Sequence, residues 1–585
     1  MAARFNSGFL TRSLRSNAAA PVTQSPRAVR TAATLATFRV PDIDNEPNKH
    51  YAQGSPDRQG LADAFKSFKQ RSPLQVPAVV AGKHISDKNV QTQYNPADHK
   101  SPVAVWSQAD AKDVETAIDS ALAAKAEWEA LPFSDRAAIF LKAADLISGK
   151  YRYEIMAATM AGQGKNAWQA EIDSAAESCD FLRFNVKYAQ ELYNTQPVHN
   201  APGVWNRVEY RPLEGFVYAI TPFNFTAIAA NLPTAPALMG NVCVWKPSPS
   251  AIASNWLVYQ ILLEAGLPPH VIQFVPGDAE EVTRTVLARP EFSALHYTGS
   301  TAVFRSLYGK IANGVADGTY EGYPRIVGET GGKNYHLLHP SANAQNAALQ
   351  TVRGAFEYQG QKCSACSRAY IPSSLTSSFL PTLVSETKNL KIGPPQDFEN
   401  FIGPVIHRGS FDKLRAAIDS ANNDPDLELL AGGTYDDSEG YYIHPTIYKT
   451  RNPHHPLMKT ELFGPVLCVY EYDDAAAADA FSKVCDTIDR TTSYALTGAV
   501  FAKDRTAIRF AEEKLRNSAG NFYVNTKCTG AVVGQQPFGG ARGSGTNDKA
   551  GSQNLLGRFV SARAVKEEFV EVEKVEYLSN EVGGV

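Results

Sequence analysis

The chain has 585 residues, with 57 Lys+Arg against 60 Asp+Glu and 44% apolar residues. This is a globular composition without the basic surplus of a general nucleic-acid binder. It also lacks the ~18–20 uninterrupted apolar residues of a membrane span: the longest candidate, Phe216 to Val244, is broken by Pro222, Asn224, Asn231, Pro233, Pro236, Gly240 and Asn241. Seven cysteines, an odd number without framework spacing, argue against a disulfide-stapled secreted protein.

The first segment differs in kind. Arg4, Arg12, Arg15, Arg27, Arg30 and Arg39 precede the first acidic residue, Asp42, among many Ala, Ser and Thr. An arginine-rich, acid-free stretch able to form a short amphipathic helix is the make-up of a mitochondrial transit peptide, not of a secretory signal. Residues 1–36 are expected to direct the chain to the mitochondrial matrix.

From 108 to 195 the chain reads as helix-rich, with apolar residues at three- and four-residue steps over Ala109–Leu131 and Ser134–Ile147. From 213 short apolar runs alternate with longer helical ones. Strands are expected at Gly215–Thr221, Val242–Lys246, Val271–Val275 and Ala294–Tyr297. Helices are expected at Ala229–Met239, Ile252–Ala265, Ala279–Ala288 and Thr301–Ala312. Repeated βα units imply a parallel sheet with helices on both faces, an α/β architecture suited to nucleotide cofactors. A second α/β block is expected from about 336 to 520. The alternating stretch Val565–Tyr577 reads as a strand with one wet face, suited to an oligomer contact. Gly162-Gln-Gly164 resembles a truncated dinucleotide fingerprint, but Ile155–Ala161 before it reads as helix, so a helix-to-helix turn is expected.

Cys363, in Phe356-Glu-Tyr-Gln-Gly-Gln-Lys-Cys363, has glycine and glutamine neighbours that suit a core poorly, and Lys362 beside it would favour the thiolate. Cys366 invites a zinc or dithiol reading, but no second Cys or His pair is visible, so no metal is expected. A nucleophilic cysteine needs an oxyanion donor and a base for the hydrolytic step. Asn224, after an apolar strand, offers an amide. Glu329, in Ile326-Val-Gly-Glu329-Thr-Gly-Gly, offers a carboxylate with a raised pKa; its bland alternative is a loop cap.

In order along the chain stand Thr221-Pro-Phe-Asn-Phe225, Trp245-Lys-Pro-Ser248, Tyr297-Thr-Gly-Ser300, Glu329-Thr-Gly-Gly-Lys333, Gly360-Gln-Lys-Cys363 and Glu461-Leu-Phe-Gly-Pro465. This set resembles the signature of the aldehyde dehydrogenase superfamily, with matching texture from about 60 to 565. The resemblance implies a Rossmann-type NAD-binding domain at 60–335 with flap strands at about 197–216 inserted. It further implies a catalytic domain at 336–520, a return at 521–558 with a substrate-anchoring loop, and an oligomerisation strand at 560–580. It implies a soluble homodimer or dimer-based oligomer acting on a small molecule, with no nucleic-acid partner.

By the same resemblance Cys363 attacks the aldehyde, Asn224 and the Cys363 N–H hold the oxyanion, and Glu329 activates water. NAD would be held by Thr221, Lys246, Gly299, Ser300, Glu461 and Phe463. Segments 354–368 and 529–548 are similar to those of members that oxidise glutamate γ-semialdehyde. Ser364, Gly530 and Ala531 would then hold its carboxylate, and Phe538 its aliphatic part. Glu171 is a candidate for its ammonium, with a solvated helix face as the alternative. Another semialdehyde, such as that of succinate, or a catalytically silent homologue are the competing readings. Pro249 stands where many members carry an acid that repels a 2′-phosphate, so NADP use stays open. Cys366 and Cys528 are expected near Cys363 as oxidisable neighbours.

Overall fold

The computed structural model describes residues 39–580; the proposed transit peptide lies outside them. Two seven-stranded sheets organise these residues. The first runs, in spatial order, Arg325–Glu329, Phe292–Thr298, Phe216–Ile220, Cys243–Lys246, Ile272–Phe274, Ala78–Val80 and Lys83–Ile85. Its first five strands are parallel, and the last two are added antiparallel. Side chains alternate between two buried faces: Val217, Cys243 and Trp245 enter one core, and Phe216, Tyr218 and Val244 the other. This explains the continuous apolar runs, because a parallel strand covered by helices has no wet face. The helix Ile252–Ala265 is apolar nearly all round because it too is enclosed.

Chain order in the parallel part reverses between Phe216–Ile220 and Phe292–Thr298. The carboxyl ends of strands at such a switch point border a crevice. Thr221–Asn224 and Gly299–Ser300 emerge there.

The second sheet runs Leu427–Ala431, Thr446–Thr450, Val466–Tyr472, Cys366–Pro372, Asn334–Leu338, Thr497–Phe501 and Asn521–Val524. Only Leu427–Ala431 is antiparallel. Residues 521–524 therefore extend this sheet, in parallel register with Thr497–Val500, instead of opening the expected return at 521. The return is the following loop, up to the helix Gln553–Gly557.

A two-stranded ribbon pairs Val204–Pro212 with Val560–Glu568, Val560 opposite Pro212 and Glu568 opposite Val204. The strand expected to reach Tyr577 thus ends at Glu568. Its partner turns away at Gly203, and after the Phe569 N–H meets the Gly203 carbonyl no ladder continues. Among the described residues, the alternation of 569–577 has no strand to pair with.

Helix Ala167–Ala170 passes through a π-helical segment, Glu171–Glu177, into helix Ser178–Tyr193. Such wide turns are rare and concentrate at functional sites.

Candidate active site

The crevice at the switch point has the makings of a dinucleotide site without a glycine-rich loop. Ser300 caps helix Thr301–Ala316, its hydroxyl accepting the Val303 N–H at 3.2 Å. The remaining first-turn N–H groups and the helix dipole favour an anion such as a pyrophosphate. Gly299 is required: a Cβ there would stand 2.5 Å from Tyr297 Oη. Lys246 leaves the end of its strand almost fully buried, its amine pushed down to about 8 by burial and partly restored by Asp278. The Thr221 hydroxyl accepts the Trp245 indole N–H at 3.0 Å. Pro249 opens a single 3₁₀ turn, Pro249–Ala251, and presents no carboxylate near Lys246. On the far wall Glu461 Oε1 accepts the Gly332 N–H at 2.8 Å. Phe463, in the left-handed region at φ +57°, packs edge-on against Phe223 at 5.9 Å.

Cys363 ends a turn whose Tyr358 and Gln359 are left-handed at φ +50° and +54°. That conformation costs roughly 1–2 kcal/mol per residue, so the turn must be held. Tyr358 Oη donates to the Gln163 carbonyl at 2.9 Å, and Gln359 Nε2 donates to the carbonyls of Gly164 and Pro404 at 3.1 and 2.7 Å. The glycine-containing segment at 162–164 is therefore a helix end, as its helical context implied, and it clamps the Cys363 turn. Asn334 Nδ2 holds the carbonyls of Cys363 and Ala365 at 2.7 and 2.8 Å. Gly332 passes so near that a Cβ would lie 2.3 Å from the Cys363 oxygen.

Asn224 Nδ2 donates to the Gln361 carbonyl at 3.1 Å, which orients the amide beside the Cys363 turn. The helix that follows begins at Thr226 rather than Ala229, because the Asp173 carboxylate accepts the N–H groups of Thr226 and Ala227, both at 3.1 Å. Asp173 is itself paired with buried Lys165 at 2.6 Å.

The Cys363 thiol is pushed up to about 12, first by burial and then by the charges of Glu329 and Glu461. Lys362 does not offset this in the way its place in the sequence implied. Its ammonium lies 3.1 Å from the Glu357 carboxylate and is engaged there.

Glu329 ends its strand with a carboxyl pushed up to about 8 by burial, against the Gly540 N–H and Lys549. Oε2 accepts that Gly540 N–H at 3.0 Å, and the backbone bridges to Gly545. The Glu329 carbonyl accepts the Gly299 N–H at 3.1 Å, joining this residue to the anion-binding turn.

The 529–538 segment borders the same turn as Cys363. The hydroxyls of Ser364 and Thr529 are hydrogen-bonded at 2.7 Å. Gly530 follows, exposed and at φ +102°, then half-buried Ala531. Val533 packs on Phe181, Phe184 and Ala227, and its carbonyl accepts from Asn45 Nδ2 at 2.7 Å. Phe538, half-buried, exchanges backbone hydrogen bonds with Ala550 at 3.0 and 2.7 Å.

Glu171 is neither on a solvated face nor free for a ligand. It is fully buried, paired with Arg152, and it accepts the Tyr51 hydroxyl at 2.6 Å and the Lys49 N–H at 2.8 Å. Six residues on, at the end of the π-helical segment, Glu177 has a carboxyl pushed up to about 8 by burial and by Asp173, with Lys165 and Lys362 opposing. Sequence reasoning passed it over; its signal was an acid in an alanine-rich stretch that the π segment turns inward.

The ligand atoms of Cys366, Cys528 and His336 lie within 4.8 Å of one another, and Cys528 Sγ donates to the carbonyl of Ser364, the residue after Cys363, at 3.5 Å. His336 was not anticipated. Both its ring nitrogens are engaged, Nδ1 with Thr351 Oγ1 at 2.8 Å and Nε2 with the Cys528 N–H at 3.1 Å.

A crevice between two parallel sheets, bordered by a cysteine, a half-buried glutamate and an asparagine amide, defines an aldehyde-oxidising enzyme class, and comparison with known proteins agrees. The family described as Aldehyde dehydrogenase family matches residues 84–565, and the chain belongs to that family. A relative from Emericella nidulans, named Delta-1-pyrroline-5-carboxylate dehydrogenase, mitochondrial, is 67% identical over 563 residues, 96% of this chain and 98% of its own. The protein of that name from Homo sapiens is 48% identical over 526 residues, 90% of this chain and 92% of its own. The crystal structure of the Delta-pyrroline-5-carboxylate dehydrogenase from Mycobacterium tuberculosis bound with NAD matches with a TM-score of 0.89 at 46% identity, covering 94% of this chain and 100% of that one.

Proposed function

We propose that the chain oxidises glutamate γ-semialdehyde, the open form of Δ1-pyrroline-5-carboxylate, to glutamate with NAD+, the second step of proline degradation. The observation that carries this reading is the direct link between the Cys363 turn and the 529–531 segment, through Ser364 and Thr529 at 2.7 Å. It joins the proposed nucleophile to the Gly530–Ala531 backbone, whose N–H groups suit a carboxylate.

In this reading Cys363 Sγ bonds to the aldehyde carbon, and the carbonyl oxygen becomes an oxyanion held by Asn224 Nδ2 and the Cys363 N–H. One such donor contributes about 2.7–4 kcal/mol of transition-state stabilisation. Bound NAD+ supplies the acceptor for the aldehyde hydride. The resulting thioester is cleaved by water, whose proton passes to Glu329, releasing glutamate and the thiol. Thr221, Lys246, Gly299, Ser300, Glu461 and Phe463 hold the cofactor, and Phe538 packs on the methylene carbons. The carboxylate lies at Gly530, Ala531 and Ser364. The ammonium faces Glu177 rather than Glu171, since Arg152 occupies Glu171.

The test is NADH formation by the purified protein with pyrroline-5-carboxylate, with succinate semialdehyde and acetaldehyde in parallel. A kcat/KM at least tenfold higher for pyrroline-5-carboxylate, about 1.4 kcal/mol, is expected. Equal or better use of another aldehyde would overturn the substrate assignment.

We further propose a matrix location and a dimer built on the ribbon of Val204–Pro212 and Val560–Glu568. Half-exposed Trp205 and the exposed Phe569, Val570 and Val572 support an unsatisfied contact surface there. Light scattering that returns a monomer mass would refute the dimer.

A further inference from the structure

Glu357 opens the turn that ends in Cys363, and its buried carboxylate holds two lysines. Lys527 Nζ lies 2.7 Å from each of its oxygens, and Lys362 Nζ 3.1 Å from Oε2. One lysine neutralises a buried carboxylate; a second adds repulsion, and Arg353 adds to it. Glu357 therefore holds one ammonium more than its own charge neutralises, while Glu177 also acts on Lys362. The two lysines differ in exposure. The Lys362 side chain is 4% exposed and that of Lys527 is 22%, so Lys527 is the more accessible of the two charges.

Lys527 also lies under the segment read as the carboxylate anchor. Its Cε is 3.6 Å from the point where a Cβ on Gly530 would stand. The acids Asp173 and Glu177 act on Lys165 at the other end of this chain of charges, whereas Glu357 is the carboxylate that acts most strongly on Lys527. The acidic side chains thus gather toward the π-helical segment and the Lys527 ammonium toward Gly530, the arrangement that suits an amino acid's ammonium and carboxylate.

The geometry points to Lys527 as a specificity-determining residue: held on Glu357 with Lys362, its charge lies beneath the Gly530–Ala531 turn and selects aldehydes that bear a carboxylate. This rests on the reading of residues 529–531 as the carboxylate anchor. An ion held by backbone amides gains from a nearby fixed cation in a site of reduced dielectric, whereas an uncharged aldehyde gains nothing.

The test compares Lys527→Met and Lys527→Arg with the unaltered enzyme, on pyrroline-5-carboxylate and on propanal at saturating NAD+. The methionine variant is expected to raise KM for pyrroline-5-carboxylate at least tenfold with kcat within twofold, and to leave kcat/KM for propanal within twofold. Arginine is expected to restore most of the loss. An equal fall for both substrates, or no change for either, would overturn the proposal. Lys527→Gln carries the same expectation should the methionine variant fail to fold. Ala531→Pro, which removes a proposed anchoring N–H, separates the two readings. If it collapses the preference and Lys527→Met does not, only the role of Lys527 fails. If it leaves the preference intact, the anchor reading fails with it.

Discussion

Glu329 Oε2 accepts the backbone N–H of Gly540 at 3.0 Å, so the proposed base rests on the loop that follows the substrate-anchoring segment. The same residue's carbonyl receives the Gly299 N–H at 3.1 Å. One glutamate thus ties together the anion-binding turn, the nucleophile's surroundings and the 529–548 loop, and a shift in that loop alters the position of the base.

Glu329→Gln keeps an oxygen for Gly540 and loses the base. Rapid-mixing assays are expected to show a burst of NADH followed by steady-state turnover at least a hundredfold below that of the unaltered enzyme, within the usual range for a general base. Unaltered steady-state turnover would remove Glu329 from the mechanism.

The pH dependence follows from the same group. Burial raises the carboxyl to about 8, so the basic form that accepts a proton predominates only above that pH. With hydrolysis of the thioester rate-limiting, kcat is expected to climb through about pH 8 and to fall below it. A flat profile from pH 6 to 9 would contradict the assignment.

Cys363→Ala is expected to abolish NADH formation while NAD+ still binds, as read by fluorescence quenching. In the free enzyme the raised thiol, at about 12, makes alkylation by iodoacetamide slow at neutral pH and faster at each step above it. Since the Glu329 charge contributes to that rise, Glu329→Gln should alkylate faster than the unaltered enzyme at pH 9. Slower alkylation would show that the carboxylate assists the thiol in the resting enzyme.

Asn224→Ala removes one oxyanion donor and is expected to lower kcat by about 10²–10³-fold. Cys363 should remain open to alkylation in that variant. A loss of alkylation in parallel would mean that the amide only holds the Gln361 carbonyl and with it the turn.

Arg152 and Glu171 form a fully buried pair. Arg152→Met leaves Glu171 charged and without its cation, a change expected to cost roughly 3–5 kcal/mol of stability. A lowered Tm with near-normal kcat per folded enzyme is the expected outcome. A selective rise in KM for pyrroline-5-carboxylate, with Tm unchanged, would return Glu171 to the substrate site.

Much of the fold and part of the site could be read locally. The strands from 216 to 298 are continuous apolar runs because both faces of the sheet are covered, and period and length separate them from the intervening helices. Glu329 and Asn224 stand in short glycine-, proline- or asparagine-containing segments at the ends of apolar strands, where a parallel sheet delivers its functional residues; Cys363 instead stands in the turn between helix Ala344–Phe356 and strand Cys366–Pro372. The strand reading at 569–577 failed because alternation describes one strand and says nothing of whether a partner remains beside it.

The sequence by itself determined the alternation of strand and helix and marked out Cys363, Glu329 and Asn224 as the proposed nucleophile and its helpers, because each is read from residues close together in the chain. Only the tertiary structure decided where the charges go. Lys362 turns to Glu357 and not to Cys363, Glu171 to Arg152 and not to solvent, and Lys527 meets a carboxylate 170 residues away. Electrostatic partners are chosen by distance and burial in space, and those quantities do not exist until the two sheets have packed against each other.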